Sequence, residues 1–344
     1  MKTNVTRRRT IALAAAALAA PAVARAQTKH RWRIQGFVPM NFPVMGEFAK
    51  WGEALARKTN GAIEIEALPI GAVVPVTDTL DAMRSGVLTG HFSGAPYFAG
   101  KDPAFAVMGD TLAAYEDAAQ RNRWFDEGGG LALARKLYGR FGAYFIANIY
   151  TPEEWLPSKR PLTKLEDLKG MKIRAPQGTV SELFRLAGAG VVVLPTPEVF
   201  NALESGVIDA TDGAWIAFND TLGLHKVAKY EIYARHSMGT TDVSVSQRAW
   251  GALGADLQQT VEAELRAFSK HVQEMYAKED AEAVKRVQAQ GVQLIRWEAA
   301  EYDKIREHLF AMWRDMSAQS PAAKEMVDSH LAFMRKLGIK TPSA

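Results

Sequence analysis

Arg174 ends the short run Met171-Lys172-Ile173-Arg174-Ala175, set between Gly170 and Pro176. The run predicts a strand that opens a sheet, and in open α/β sheets ligands gather outside the carboxyl ends of strands. A guanidinium offers two parallel N–H donors that match a carboxylate, and it keeps its charge at any relevant pH. The chemistry this suggests is capture of an organic acid. The alternative is a structural ion pair, with Glu166 as an available partner. Asp212 and Trp215 follow another apolar strand, Val207 to Ala210, and enter the same region. A Trp there offers a flat apolar wall and one N–H donor; plain core packing is its other reading. Gln35, at the end of the first strand, is a further polar candidate.

Glu153-Glu154 lies in a Pro- and charge-rich stretch from Thr151 to Gly170. A carboxylate near a bound acid would repel it unless a cation sits between them. Glu154 and Asp212 together offer the oxygen ligands that Na⁺ and Ca²⁺ favour. The simpler reading makes Glu153 and Glu154 a solvated surface pair. Catalytic signatures are missing: there is no G-x-S-x-G elbow and no H-E-x-x-H pair, so an exported hydrolase is a poor fit. The seven histidines (His30, His91, His225, His236, His271, His308 and His330) show no ligand spacing. Gly94 to Lys101 has five intervening residues and then Asp102 where a phosphate loop needs Ser or Thr, and Gly188-Ala189-Gly190 lacks the third glycine of a dinucleotide fingerprint. The absence of cysteine excludes a thiolate nucleophile or thiolate zinc site.

The elements that must position these residues are written nearly twice. Leu80-Asp81-Ala82-Met83-Arg84-Ser85-Gly86-Val87-Leu88-Thr89-Gly90 is echoed by Phe200-Asn201-Ala202-Leu203-Glu204-Ser205-Gly206-Val207-Ile208-Asp209-Ala210. Each copy reads as a helix end, a Ser-Gly stop and a short strand. Trp32 and Ile34 alternate with arginines in a first strand, Phe48, Trp51 and Leu55 share a helical face, and Ile63 and Ile65 mark a second strand. The β-α-β-α-β rhythm predicts a parallel sheet. It restarts at Met171, with a helix from Val180 to Leu186, a buried strand from Val191 to Leu194, and a helix from Pro197 to Glu204. Two α/β lobes with a ligand cleft between them follow. From Ala255 to Gln290 no Pro or Gly interrupts a near-helical apolar spacing, and further helices run from Glu301 to Met316 and from Ala322 to Leu337.

Residues 1–26 read as an export signal: Lys2 and Arg7-Arg8-Arg9, an apolar run from Ile11 to Ala20, and Ala24-Arg25-Ala26 as the cleavage site. The run is shorter than the roughly 20 residues a bilayer span needs. The paired arginines fit a twin-arginine (Tat) signal loosely, with a Sec signal as the alternative. The full chain carries 42 basic and 38 acidic side chains; without the five basic residues of the signal it carries 37 against 38, a net of −1. No basic stripe with interleaved aromatics is present, so nucleic acid is not an expected partner. The expected product is a soluble, monomeric periplasmic protein.

Leu165-Glu166-Asp167-Leu168-Lys169-Gly170-Met171-Lys172-Ile173-Arg174 resembles the periplasmic solute-binding subunits of TRAP (tripartite ATP-independent periplasmic) transporters, the DctP type. Val193-Leu194-Pro195 with Glu198, Ser205-Gly206-Val207-Ile208-Asp209 and Leu224-His225-Lys226-Val227-Ala228-Lys229-Tyr230 agree. Leu68-Pro69 through Gly71-Ala72-Val73-Val74, and Gly100-Lys101-Asp102-Pro103-Ala104-Phe105, are similar to the branch that binds 2-oxo acids and related monocarboxylates. The resemblance implies a two-lobed periplasmic-binding-protein fold, each lobe a mostly parallel sheet flanked by helices, with a long helix spanning both. It implies residues 27–152 plus about 238–278 as the first lobe, and 153–237 plus about 279–344 as the second lobe and C-terminal helices. It implies no enzyme activity, and delivery of the ligand to membrane subunits driven by an ion gradient; a ligand-sensing component of a signalling system is the alternative. It places Arg174 on the ligand, and Asp212 and Trp215 where relatives carry an adjacent acidic residue and Trp, although here Gly213 and Ala214 intervene. Tyr97 aligns with a ligand-facing tyrosine, Glu154 with a position where some relatives carry Gln, and Asn219 with a family position that as easily caps a helix. Where cation-binding relatives often add an oxygen ligand, this chain has Ser237.

Overall fold

The structure is a computed structural model that describes residues 29–342 other than Gln177 and Pro195. The signal segment 1–26 lies outside the described residues. The alternation of β1 (His30–Gly36) buries Trp32 and Ile34 and leaves Arg31 and Arg33 in water. α1 (Pro43–Lys58) starts on a proline and turns Val44, Phe48, Trp51 and Leu55 inward, and β2 (Ile63–Leu68) returns beside β1. α2 (Thr79–Ser85), β3 (Gly90–Gly94), α3 (Pro103–Gly109), α4 (Ala118–Glu127), α5 (Gly130–Gly139) and β4 (Ala143–Ile149) complete the first half. β5 (Leu156–Ser158), β6 (Lys172–Arg174), α6 (Thr179–Leu186), β7 (Gly190–Val192), α7 (Val199–Glu204), β8 (Ala210–Thr211), α8 (Ile216–Thr221) and β9 (Tyr230–Tyr233) build the second. The chain then returns through β10 (Thr241–Ser246), α9 (Gln247–Gly251) and α10 (Ala255–Ala289) to β11 (Gln293–Arg296), α11 (Ala299–Gln319) and α12 (Pro321–Lys336).

Two mixed sheets result, ordered β2-β1-β3-β10-β4 and β11-β9-β5-β8-β6-β7. The parallel units are the ones the sequence rhythm predicts: β1 with β2 and β3, and β6 with β7 and β8. Each sheet also takes one antiparallel strand at a crossing between lobes: β10 lies between β3 and β4, and β5 lies between β8 and β9. The expected buried strand at 191–194 is instead the edge strand β7, and Val193 is 48% exposed because β7 has a strand neighbour on one side alone.

The repeat is structural. Gly86 (φ 83°) and Gly206 (φ 74°) both adopt the left-handed conformation that glycine reaches without strain. Leu88 N–H then bonds Ala82 O at 3.1 Å, and Ile208 N–H bonds Ala202 O at 3.1 Å.

Two crossing segments, 150–155 and 234–240, run side by side, with Glu154 N–H bonded to Ser237 O at 3.3 Å. The fully buried Arg121 donates to Gly239 O and, at 2.8 Å, to Thr151 O, tying both crossings to α4. α10 packs on β4 and α1 of the first lobe and on α8 of the second. α11 touches both lobes, through α3 and α6. At the C-terminus α12 packs on α3, α4 and α5, where Met326, Phe333 and Met334 are buried.

Candidate functional site

Arg174 leaves the end of β6 and is fixed by backbone. Its Nε–H donates to Leu194 O at 3.0 Å and its Nη1–H to Asp212 O at 3.0 Å. Glu166 is not its partner; that carboxylate is 2.6 Å from Lys304 Nζ. Among the described residues no side-chain carboxylate pairs with Arg174, so the fork is oriented without being neutralised.

Asp212 follows β8, and its N–H returns a bond to Arg174 O at 2.7 Å. Its carboxylate is buried against His236, with Oδ1 2.8 Å from Nε2. Glu154 joins them from the first crossing: one potential ligand atom from each of Glu154, Asp212 and His236 lies within 4.8 Å of the others. The reading of Glu154 as a solvated surface group is therefore wrong. The paired crossings carry its side chain into the cleft, while Glu153 turns away to accept Ala118 N–H at the start of α4, 2.7 Å. Burial pushes the Glu154 carboxyl well above its usual pKa, and Asp212 and Asp110 add to that rise. Burial also raises Asp212, against the pull of the Arg174 charge, and lowers His236. Two carboxyls this close oppose each other's charge, which a shared proton or a bound cation relieves.

Tyr97 belongs to the first lobe, just after β3. It keeps 41% of its surface exposed. Its hydroxyl pKa is raised by burial and then by Glu154, while Arg174 opposes the rise, so the ring lies within electrostatic reach of both.

Three expected ligand groups are placed otherwise. Gln35 is fully buried, and its amide is consumed by the loop that covers it: Nε2–H donates to Val74 O at 2.8 Å, and Oε1 accepts from Val73 and Val74 N–H at 2.9 and 3.2 Å. Asn219 clasps both backbone groups of Ala214 (3.0 and 3.1 Å) and donates to Glu231 at 2.8 Å. A Cβ on Gly213 would come within 2.7 Å of that amide, so the close approach requires glycine there. Asn219 thus shapes the Asp212–Trp215 loop from behind. Trp215 packs on Phe218 and Tyr276 (ring centroids 5.1 and 4.6 Å), with 8% of its surface exposed. Ser237 turns its hydroxyl to Asp110, to which it donates at 2.7 Å.

Sequence reasoning missed His236 and Asp110. Asp110 Oδ1 accepts from Leu112 and Met238 N–H, 2.9 and 3.0 Å, which anchors the second crossing one residue from Ser237. Neither residue carries a local motif. Each meets the site only because the crossings pair.

With this geometry in view, comparison with known proteins is direct. The family described as bacterial extracellular solute-binding protein, family 7 (DctP) matches residues 34–320. A monocarboxylate 2-oxoacid-binding periplasmic protein of Nostoc sp. is 27% identical over 317 residues, 89% of this chain and 85% of that one. A TRAP periplasmic solute-binding protein of Rhodobacter sphaeroides, solved apo and open, is 32% identical and superposes with a TM-score of 0.79 over 90% of this chain and 99% of its own. Another, from Colwellia psychrerythraea and solved with bound calcium and pyruvate, shares the fold at a TM-score of 0.79 over 90% and 96% of the two chains, with 22% identity. The chain belongs to the DctP family of TRAP periplasmic solute-binding proteins, which bind a solute rather than transform it.

Proposed function

We propose that the cleft captures a small organic acid, a 2-oxo acid or related carboxylate, and presents it to an ion-gradient-driven TRAP membrane permease. The observation that carries this reading is the Arg174 fork, held by two backbone carbonyls and unpaired by any side-chain carboxylate among the described residues. Charged hydrogen bonds contribute roughly 1.5–3 kcal/mol each. A bidentate pair therefore supplies a large share of the roughly 8 kcal/mol of a micromolar complex. Tyr97 donates its hydroxyl to the acid's carboxylate or keto oxygen. The Nostoc protein that binds monocarboxylate 2-oxo acids supports this ligand class.

Glu154 and Asp212 are the groups that would hold a Na⁺ or Ca²⁺ bridging to the ligand. Their fit rests on the donor set: two enclosed carboxyls whose burial disfavours both charges unless something positive arrives. His236, already bonded to Asp212, orients that carboxylate and leaves the hard cation to oxygen. The Colwellia structure, with calcium and pyruvate together, supports the pairing. The protein works as a periplasmic monomer exported by the Tat or Sec route, and no helix among the described residues is long and apolar enough to cross a membrane.

A thermal-shift screen of pyruvate, longer 2-oxo acids, hydroxy acids and dicarboxylates tests the reading. Ligand at a hundred times its Kd adds about 2.7 kcal/mol. That moves the melting point by several degrees. A screen in which no acid moves it would sink the proposal.

A further inference from the structure

A second cavity lies at the junction of the lobes, where the loop before α1 meets α8 and α10, with a volume of about 220 Å³. Its walls are aromatic. Phe42 of the first lobe stacks on Phe218 of the second at 4.9 Å, and Trp215 meets Tyr276 at 4.6 Å. Its charge is negative. Glu279 and Glu282 line it, and neither is in a salt bridge among the described residues. The one lining cation, Arg286, is already held 2.9 Å from Asp220. Asp280, the next carboxylate along α10, accepts Ala217 N–H at 2.9 Å.

Tyr276 adds an uncommitted polar group to this lining. It is 3% exposed, yet its hydroxyl has no hydrogen-bond partner among the described residues. That hydroxyl lies near enough to Glu279 and Asp280 for both charges to act on it. An acid would be repelled here, and a neutral apolar molecule would gain nothing from the two carboxylates. Aromatic faces attract cations within about 6 Å. The volume falls below the roughly 300 Å³ of ordinary ligand pockets, which suits a headgroup-sized molecule.

We propose that this cavity binds a small alkylammonium ion. Its N–H⁺ donates to Tyr276 Oη and to Glu279 or Glu282, and its alkyl groups lie against Phe42, Phe218 and Trp215. The inference stands apart from the carboxylate reading.

Three probes of nearly equal shape test it on the whole protein by calorimetry at fixed ionic strength: tert-butylammonium, neutral tert-butanol and anionic pivalate. The expected result is saturable binding of tert-butylammonium alone. Glu279→Gln with Glu282→Gln should weaken it at least tenfold, and Tyr276→Phe severalfold with no loss of melting temperature, since that hydroxyl has no partner to lose. Absent binding, unchanged affinity in the double variant, or equal binding of tert-butanol would overturn the proposal. So would displacement of tert-butylammonium by pyruvate or pivalate, which would make the cavity part of the carboxylate cleft.

Discussion

Arg174 and Asp212 are bonded to each other in both directions: Asp212 N–H to Arg174 O at 2.7 Å, and Arg174 Nη1–H to Asp212 O at 3.0 Å. The strand ladder that joins β6 to β8 thus also aims the guanidinium. The link leaves the Asp212 carboxylate free of Arg174 and turned toward His236 and Glu154. Positive fork and acidic pair are held side by side without cancelling, which suits a site that takes an anion and a cation together.

Glu154→Gln should separate the two. It keeps an oxygen and the shape of the side chain but removes one of the charges that would hold a cation. Titration of pyruvate into chelated wild-type protein, with and without Ca²⁺, should give affinities that differ at least tenfold, and the variant should lose that difference. Identical wild-type isotherms would end the cation-bridging idea.

Asn219→Ala tests the support behind the loop. The change strands the buried Glu231 Oε1 and both backbone groups of Ala214. Each unsatisfied buried group costs about 1–3 kcal/mol, so a total loss near 3 kcal/mol is expected in urea unfolding. A loss below about 1 kcal/mol would show that the loop holds without the clasp.

His330 should govern acid stability. It is buried between Trp124 (ring centroid 3.8 Å) and Trp313 (5.2 Å), accepts or donates at Tyr115 Oη at 2.7 Å, and its pKa is lowered by burial, then by Arg121, to about 3. The unfolded chain binds its proton near pH 6.5, earlier than the native state does. Stability from this group is therefore complete above about pH 6.5 and is lost as pH falls toward 3, by a few kcal/mol in all. His330→Phe should be less stable at pH 7, because Tyr115 loses its partner, but should show a flatter acid limb in melting curves. An unchanged acid slope would assign acid unfolding to other groups.

What the sequence made legible was what local pattern encodes. The Ser-Gly stops at Gly86 and Gly206 need a left-handed turn, and α10 announces itself by 35 residues of helical spacing without a breaker. Arg174 was visible because a strand end in a parallel sheet has a known outlook. The antiparallel strands were not visible. β5 is Leu156-Pro157-Ser158, too short to pattern, and Thr241 bonds Thr151 across 90 residues. Glu154 could not be told from a surface group, and His236 and Asp110 were missed, for this one reason: their meeting depends on two crossings pairing, which no local pattern reports. Gln35 and Asn219 stood at the right places, but nearby backbone claimed their amides.

The most direct measurement is calorimetric titration of pyruvate and longer 2-oxo acids into wild-type protein and Arg174→Lys. Lysine keeps the charge and loses the planar fork, so the account predicts saturable one-to-one binding in the wild type and at least a tenfold loss in the variant. Equal affinity in both proteins would contradict the claim that Arg174 grips the ligand's carboxylate.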